Sequence, residues 1–370
     1  MASYKKVLVV RFSALGDVAM TVPVLYSLCN AYPDTTFVML TRPVAAKLFV
    51  NAPGNLQIVT AELEGRHKGL RGLYTLYRDM RKLSIDGVAD LHYVLRTRII
   101  SLLFRLAGFK VHHIEKGRRE KKALTTRKGK RLAPLKNSIQ RYTDVFEQMG
   151  FRFEQTFTSI YPNGKGDYGS FSYITPAKTD NETWIGIAPF AKHRGKIYPV
   201  NQMEEVVRKL SAQPEHKLFL FGAGEQEASQ LREWCRKYPN VVSLADKRHG
   251  FLVELALISH LDCMVSMDSA NMHLASLVGT PVVSIWGATH PYCGFLGWKQ
   301  PYENIVQAEL DCRPCSVFGD KPCYRKDYAC MSAISPDTII AKIRSVSGQK
   351  NKIRQTTSPS AQNNLVSLPL

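Results

Sequence analysis

The sequence predicts an α/β protein with two doubly wound parallel-sheet domains that face each other across a cleft. Short β-branched runs alternate with stretches of helical periodicity, which is typical of β-α-β units in a parallel sheet. The alternation stops at a stretch rich in glycine, proline and serine and then starts again. The chain has 370 residues, of which 45% are hydrophobic, so both domains can have substantial cores.

Each half of the chain contains several elements of this pattern. In the first half, strands are predicted at 6–10, 36–40 and 87–91, and helices at 17–32 and 97–108. In the second half, strands are predicted at 184–188, 217–221, 263–267 and 281–286, and helices at 201–212, 225–238 and 269–279. We therefore predict a first domain at 1–165, a linker at 166–182, a second domain at 183–346 and a polar, disordered tail at 347–370.

Two facing parallel sheets favour a group-transfer enzyme. Ligands of open α/β sheets bind outside the carboxyl ends of the strands, so two facing sheets can hold two substrates. A dehydrogenase would instead show a G-x-G-x-x-G turn after its first strand. The first turn here, RFSALGDV, lacks that pattern, and the later loop FGAGEQE contains only Gly222 and Gly224. The sequence thus disfavours an oxidoreductase.

The first turn contains an acidic residue at an unusual place. In VVRFSALGDVAM (9–20), Asp17 follows the first strand and begins a helical pattern. Aspartate is a preferred N-cap residue, so one interpretation is purely structural. The other is a general base at the cleft, to which Gly16, lacking a side chain, would let a substrate hydroxyl come close.

The formal net charge of +19 is concentrated in one segment. Residues 110–131 contain ten lysines and arginines against Glu115 and Glu120. This segment is either a solvated, mobile loop or a landing site for a polyanion such as nucleic acid, anionic lipid or a phosphorylated glycolipid. No aromatic side chain lies between the basic residues, so a stacking platform for single-stranded nucleic acid is missing. We therefore predict contact with a membrane surface or an acidic substrate, and not with nucleic acid.

The apolar runs of the sequence predict neither a signal peptide nor a membrane-spanning helix. The first apolar run stops at Arg11, which is too short for a signal-peptide core. No apolar run approaches the roughly 20 residues that a membrane-spanning helix needs. We expect a cytoplasmic protein.

Four of the eight cysteines are close together in the sequence. Cys312, Cys315, Cys323 and Cys330 form the pattern C-x2-C-x7-C-x6-C. Four thiols at such a spacing could hold a structural zinc ion, form disulfides or stay free. The spacing is less regular than that of a zinc ribbon, and we predict no catalytic metal.

Several segments resemble glycosyltransferase family 9, the lipopolysaccharide heptosyltransferases. RFSALGDVAMTVPVL is similar to the family's opening R-x-S-x-x-G-D and the apolar helix that follows it. SMDSANMHLASLVGTPVVSIWGATHP (266–291) is similar to its D-[ST]-G-x-x-H signature. Supporting similarities occur at 86–108, 137–150 and KIYP (196–199), and the resemblance covers residues 6 to about 345.

This resemblance implies a GT-B fold with two Rossmann-like domains. The acceptor would bind the first domain and the nucleotide sugar, expected to be ADP-heptose, the second. The activity implied is inverting transfer of a heptose to the lipid A–Kdo core, with Asp17 as the general base and no cofactor. From the charge of residues 110–131 we also expect peripheral attachment to the inner leaflet of the cytoplasmic membrane through that segment, and we expect a monomer.

The motifs also suggest which residues bind the donor. A helix N-terminus favours a diphosphate, and one is predicted after Asp268. A fixed cation at the leaving phosphate could replace a metal, and Lys196 matches the family's lysine. The predicted donor residues are Asp268, Ser269, Ala270, His273, Glu225 and Glu227, with Asp268 expected to cap the helix. Ala270 stands where the family has glycine, which affects how closely a phosphate can approach the backbone.

The predicted acceptor residues lie in the first half. They are Ser13, Gly16, Arg96, Arg98 and Arg141. Arginine binds carboxylates and phosphates through two parallel hydrogen bonds, which suits an anionic acceptor. His92 and Asn137 replace a glutamine and a histidine of the family, so the acceptor is expected to differ in detail.

Three further functions remain open from sequence. Within the same fold, the chain could transfer another sugar or act as a nucleotide-sugar epimerase. From a different class, a basic nucleic-acid-binding protein would explain the charge, but it would leave Asp17 and the 266–291 motif unexplained.

Overall fold

Two parallel β-sheets form the centres of the two halves in the computed structural model, which describes residues 4–247 and 249–357. The first sheet has the order β3-β2-β1-β4-β5. Its strands are β1 (Lys6–Val10), β2 (Thr36–Thr41), β3 (Leu56–Thr60), β4 (Gly87–Asp90) and β5 (Lys110–His113). Its helices are α1 (Leu15–Ala19), α2 (Thr21–Ala31), α3 (Pro43–Ala46), α4 (Gly69–Arg81), α5 (Leu95–Leu106), α6 (Arg118–Thr125) and α7 (Ser138–Gln148).

The second sheet has the order β11-β10-β9-β6-β7-β8, and its strand pairs are parallel as well. Its strands are β6 (Thr183–Ala188), β7 (His216–Leu220), β8 (Val241–Ser243), β9 (Cys263–Met267), β10 (Val282–Trp286) and β11 (Ile305–Gln307). Its helices are α8 (Val200–Ser211), α9 (Glu225–Lys237), α10 (Phe251–His260), α11 (Ala270–Leu277), α12 (Ala329–Ser332) and α13 (Pro336–Thr357). The predicted class, two doubly wound parallel-sheet domains, is confirmed.

The central strands show why both sheets are covered on two faces. In β1, Val7 and Val9 belong to one apolar core while Leu8 and Val10 belong to another. Successive side chains of a strand point to opposite faces, so a strand buried on both faces has a continuous apolar sequence. Strand β6 repeats the arrangement, with Trp184 in one core and Ile185 in the other. This is the pattern that made these strands recognisable in the sequence.

Three elements differ from the sequence prediction. The helix predicted at 17–32 is divided at Met20 into α1 and α2. The segment 110–131 contains β5 and α6 and is therefore not an unstructured loop. Helix α13 continues through Thr357, where a disordered tail was predicted from residue 347, and residues 358–370 lie outside the described part.

The basic segment 110–131 reaches across to the second half of the chain. The Nζ atom of Lys130 donates to the carbonyl oxygens of Asp311 and Arg313 at 2.8 and 2.7 Å. The ammonium of Lys121 lies 4.7 Å from the centre of the Phe295 ring. Part of the segment's charge is therefore used in contacts between the two halves.

The predicted linker packs against the second half. The amide of Gly166 donates to Ser259 Oγ at 2.8 Å, and the fully buried Phe171 lies edge-on to the ring of Trp184. The exact limits of the two domains remain a prediction. Within residues 4–247 and 249–357, no helix is both long enough and apolar enough to cross a bilayer.

A glycine holds the start of α7 against the second half. Gly294 has φ of +84°, and its carbonyl accepts hydrogen bonds from the amide and hydroxyl of Ser138. A Cβ there would lie 2.8 Å from the Cα of Asn137. Glycine at position 294 thus permits both a left-handed backbone conformation and close contact between the two halves.

We expect Gly294→Ala to lower the free energy of unfolding by about 1–3 kcal/mol from backbone strain, with a further loss from the clash at Asn137. Denaturant unfolding would measure this. Gly164→Ala is the matched control, since Gly164 also has a positive φ (+75°) but nothing within 4 Å of a Cβ. Equal losses in the two variants would show that the contact between the halves is unimportant.

Candidate functional site

A cavity of about 640 Å³ lies between the carboxyl ends of the two sheets. One wall is formed by Ala14–Asp17, directly after β1. The opposite wall is formed by the loops that follow β6, β7 and β9. The strand order reverses between β1 and β4 in the first sheet and between β6 and β9 in the second, and open α/β sheets bind ligands at such points.

Asp17 occupies the third position of α1. The residue at the N-cap is Ala14, so the interpretation of Asp17 as an N-cap is wrong in position, although its carboxylate accepts from the Ala14 amide at 3.0 Å. The same oxygen, Oδ2, lies 2.8 Å from Nη2 of Arg11. With both contacts on Oδ2 and 28% of the side chain exposed, Oδ1 is available to a ligand.

Arg11 holds this carboxylate in place. Its guanidinium is buried, donates to the Leu91 carbonyl at 2.6 Å and lies 5.6 Å from the centre of the Tyr142 ring. Burial of Asp17 opposes ionisation, but Arg11, the Ala14 amide and His273 outweigh it and hold the pKa of the carboxyl below its usual value. Asp17 is therefore ionised at neutral pH. Sequence reasoning gave Arg11 no role, although it is the first residue of the R-x-S-x-x-G-D motif.

His273 on α11 reaches the first half at Gly16. A Cβ on Gly16 would lie 2.6 Å from Cδ2 of His273, so any larger residue at position 16 would force the imidazole ring to move. Burial lowers the pKa of His273 to about 4, despite the opposite effect of Asp268 and Asp17. The imidazole is thus neutral, and its buried Nδ1 has no hydrogen-bond partner in the described part of the chain. A polar ligand atom could satisfy it.

Lys196 and Asp268 form an ion pair on the second wall. Lys196 Nζ lies 2.8 Å from Asp268 Oδ2, which also accepts from Thr289 Oγ1 at 2.9 Å. The prediction that Asp268 caps α11 is wrong: Ser269 is the N-cap residue, and Asp268 is held by Lys196 and Thr289 instead. The first N–H groups of α11 have no partners within the helix, and Ser269, Ala270 and Asn271 line the cavity there.

The two predicted glutamates of α9 have different surroundings. Glu227 lines the cavity, and its carboxylate accepts from the Ala223 amide at 2.7 Å. Glu225 is outside the cavity and pairs with Arg232. Glu254 of α10, which sequence reasoning missed, lines the cavity beside Phe251, and burial raises the pKa of its carboxyl. No motif in the sequence marks Glu254.

A second cavity of about 290 Å³ adjoins the first on the side of the first sheet. Ala14 and Asp17 line both cavities. Its remaining walls include Ser13, as predicted, and a set of cationic side chains, namely Arg11, Lys116, Arg118, Lys121 and Arg141. Asp17 therefore lies where two ligands, one in each cavity, would meet.

The cations of this second cavity differ in what they can bind. Arg141 uses Nε, Nη1 and Nη2 for the carbonyls of Lys136 and Glu115 and the carboxylate of Glu120, so it positions these segments. Lys116, Arg118 and Lys121 have no ion-pair partner in the described residues. Burial, and then Arg141, lowers the pKa of Lys121 to about 8. An anion bound in this cavity would offset the repulsion between the positive charges of Lys121 and Arg141.

The remaining predicted acceptor residues, Arg96 and Arg98, do not line either cavity. Both are exposed on α5, and the guanidinium of Arg98 lies 5.4 Å from the centre of the Tyr93 ring. The buried face of α5 is formed by other residues, such as Ile100 and Phe104, and a linear motif does not show which face of a helix is buried.

The four clustered cysteines are free thiols. Burial raises the pKa of Cys330 to about 11 and also raises that of Cys315. No group of three His, Cys, Asp or Glu side chains that could hold a metal ion occurs within residues 4–247 and 249–357. The arrangement thus does not support the structural zinc site that the spacing left open.

The fold and this site define a class of protein, the GT-B glycosyltransferases. Two Rossmann-like sheets face each other, one wall presents a carboxylate, and the other presents a helix N-terminus with a lysine. The sequence model of glycosyltransferase family 9 (heptosyltransferase) matches residues 75–324. The chain belongs to this family and is a transferase enzyme.

Known proteins agree with this assignment. The chain is 23% identical over 345 residues to lipooligosaccharide heptosyltransferase 2 of Campylobacter jejuni, covering 90% of this chain and 96% of that protein. A family 9 glycosyltransferase from Veillonella parvula superposes with a TM-score of 0.71 at 17% identity, covering 93% and 98% of the two chains. An Escherichia coli heptosyltransferase solved with ADP-2-deoxy-2-fluoro heptose superposes with a TM-score of 0.63 at 15% identity, covering 92% and 99%.

We expect Gly16→Ala to reduce turnover while leaving the fold intact, because the added methyl group must push the His273 ring away from Asp17. Steady-state kinetics and circular dichroism would measure the two effects. Gly54→Ala is the control, since a Cβ at Gly54 meets nothing within 4 Å. Unchanged turnover in Gly16→Ala would mean that the contact between α1 and α11 does not matter for catalysis.

Proposed function

We propose that the protein transfers a heptose from ADP-heptose to the anionic lipid A–Kdo inner core of lipopolysaccharide, with inversion at the anomeric carbon. One observation carries the proposal: Asp17 lies in both cavities, at the point where a donor and an acceptor would meet. Family membership and relatives described as lipooligosaccharide or lipopolysaccharide heptosyltransferases support the choice of sugar and acceptor.

In this proposal the first cavity holds the donor. The free N–H groups at the start of α11 and the ammonium of Lys196 surround the diphosphate, and His273 offers Nδ1 to one of its oxygens. Glu227 and Glu254 also line this cavity, and their carboxylates suit ribose hydroxyls. The E. coli structure with an ADP-heptose analogue supports adenine as the base.

The second cavity holds the acceptor. Lys116, Arg118 and Lys121 line it without ion-pair partners in the described chain, which suits the carboxylates or phosphates of a lipid A–Kdo core. The basic segment 110–131 therefore contributes to acceptor binding. Its direct docking on the inner leaflet, the cytoplasmic location and the monomeric state remain predictions.

The reaction needs one proton transfer and one displacement. As the acceptor hydroxyl oxygen bonds to the anomeric carbon, its proton passes to Oδ1 of Asp17. The bond between that carbon and the β-phosphate oxygen breaks, and ADP leaves with the electron pair. Attack from the side opposite to the leaving group inverts the anomeric centre. Lys196 and the α11 N-terminus stabilise the charge that develops on the leaving oxygen.

An epimerase would need only the donor cavity and would not explain a cationic cavity that adjoins it at Asp17. Nucleic-acid binding would use neither cavity. The transferase is therefore the function that the two cavities together support best.

We expect Asp17→Asn to lower turnover by about 10²-fold or more, because the amide cannot accept the hydroxyl proton. Affinity for ADP should be nearly unchanged, since the proposed donor contacts are on the other wall. Initial rates with a lipid A–Kdo acceptor and calorimetric titration with ADP would measure the two effects. Asp34→Asn, an exposed aspartate far from β1's carboxyl end, is the matched control. Near-normal turnover in Asp17→Asn would reduce Asp17 to a structural role.

Lys196→Ala and His273→Ala should each lose more affinity for ADP than for adenosine, because their proposed partners are phosphate oxygens. Titration of both ligands into wild type and variants would show the difference, with Lys299→Ala as an exposed control outside the donor cavity. EDTA should not change ADP binding, since Lys196 and α11 supply the positive field that a metal could otherwise provide. Equal losses for the two ligands, or loss of ADP binding in EDTA, would place the phosphates elsewhere.

A further inference from the structure

The outer face of α4 and α5 is a surface that the proposed reaction does not use. The two helices pack side by side on the first sheet. Their inner side chains, including Leu73, Leu76, Ile100 and Phe104, belong to the core beneath. The inner faces of both helices are apolar, as expected for helices that cover a sheet. Their outer faces carry apolar side chains as well as polar ones.

Five large apolar side chains point outward from this pair of helices. Leu102 and Leu106 are 54% and 77% exposed, and Leu95 is 72% exposed on the same helix, α5. Leu70 and Tyr74 are also exposed and lie one turn apart on α4. Exposed apolar residues clustered on one face indicate a surface that binds something.

The exposed charged side chains on the same outer face are positive. The outward positions include Arg71, Arg78 and Arg81 on α4 and Arg96, Arg98 and Arg105 on α5. Helix α5 contains no acidic residue, and the single one in α4, Asp79, is paired with Arg66 at 2.7 Å. The outer face therefore combines exposed leucines with unneutralised arginines.

We propose that the outer face of α4 and α5 binds the surface of an anionic lipid bilayer. Leucines and a tyrosine would enter the boundary between headgroups and acyl chains, while the arginines would meet lipid phosphates. A second copy of this chain fits less well, because a two-fold interface would place arginines against arginines. The positive charge of this face therefore favours an anionic lipid surface over a second copy of the chain.

The position of this face supports the same partner. Helices of parallel β-α-β units begin at the carboxyl end of the sheet, so α4 and α5 begin on the cleft side. Val94, which lines the acceptor cavity, directly precedes Leu95 at the start of α5. A bilayer on this face would lie beside the acceptor cavity, so a lipid-anchored acceptor could enter it without leaving the membrane. The entry of a lipid-anchored acceptor rests on the proposed function, whereas lipid binding itself does not.

The experiment is co-sedimentation of the full-length protein with phosphatidylcholine vesicles, with and without phosphatidylglycerol. Wild type should bind only the anionic vesicles, and less at high salt. The double variants Leu102→Gln with Leu106→Gln, and Arg71→Gln with Arg78→Gln, should each weaken binding by about tenfold or more. All four side chains are exposed, so the fold should be kept, which circular dichroism would confirm.

Two controls separate this face from other surfaces of the protein. Leu252→Gln removes a leucine that is 59% exposed in the second half and should leave vesicle binding unchanged. Arg119→Gln with Lys128→Gln removes exposed charge from the segment 110–131. If only this second pair weakens binding, the bilayer contacts that segment and the proposal is wrong.

Further outcomes distinguish this proposal from the proposed function. ADP affinity should be the same in the α4 and α5 variants as in wild type. If the variants bind vesicles normally but convert a wild-type dimer to a monomer in analytical ultracentrifugation, the face is a contact between copies and the proposal is wrong. If vesicle binding follows the prediction but heptose transfer is never observed, only the proposed function fails.

Discussion

The contact of Gly16 with the His273 ring is the constraint on which the site depends. Because Gly16 has no side chain, α1 can lie directly against α11. This approach brings a carboxylate from the first sheet and a neutral imidazole from the second to the same point in the cleft. Asp17, the residue after Gly16, lines both cavities. A larger residue at position 16 would displace the His273 ring.

The charges of the site fall into two groups with different roles. In the ion pairs Arg11–Asp17 and Lys196–Asp268, Arg11 and Asp268 are the buried partners, so removing Asp17 or Lys196 would leave an uncompensated charge in a poorly hydrated place. These pairs hold functional groups in fixed positions. Lys116 and Lys121 have no such partners in the described chain, and the pKa of each is lowered by burial. Their charge is available to an anionic ligand.

The basic residues of the chain likewise have different roles in different regions. Basic residues of 110–131 line the second cavity or contact the second half, as Lys130 does through two carbonyls. The arginines on α4 and α5 instead alternate with exposed leucines. The density of charge along the sequence indicated only the segment 110–131. The arginine-rich face of α4 and α5 is assembled from two helices that are separate in the chain, so no single stretch of sequence shows it.

The sequence by itself determined the fold class and several of the residues that line the first cavity. Strands such as β1 and β6 are recognisable because burial on both faces requires continuous apolar residues, and the motifs around Asp17, Lys196 and His273 are local. Only the tertiary structure decided that Arg11 pairs with Asp17, that Lys196 rather than the helix holds Asp268, and that Glu254 enters the cavity while Arg96 and Arg98 stay outside. These facts depend on distances between segments far apart in the chain, which no local periodicity or spacing encodes.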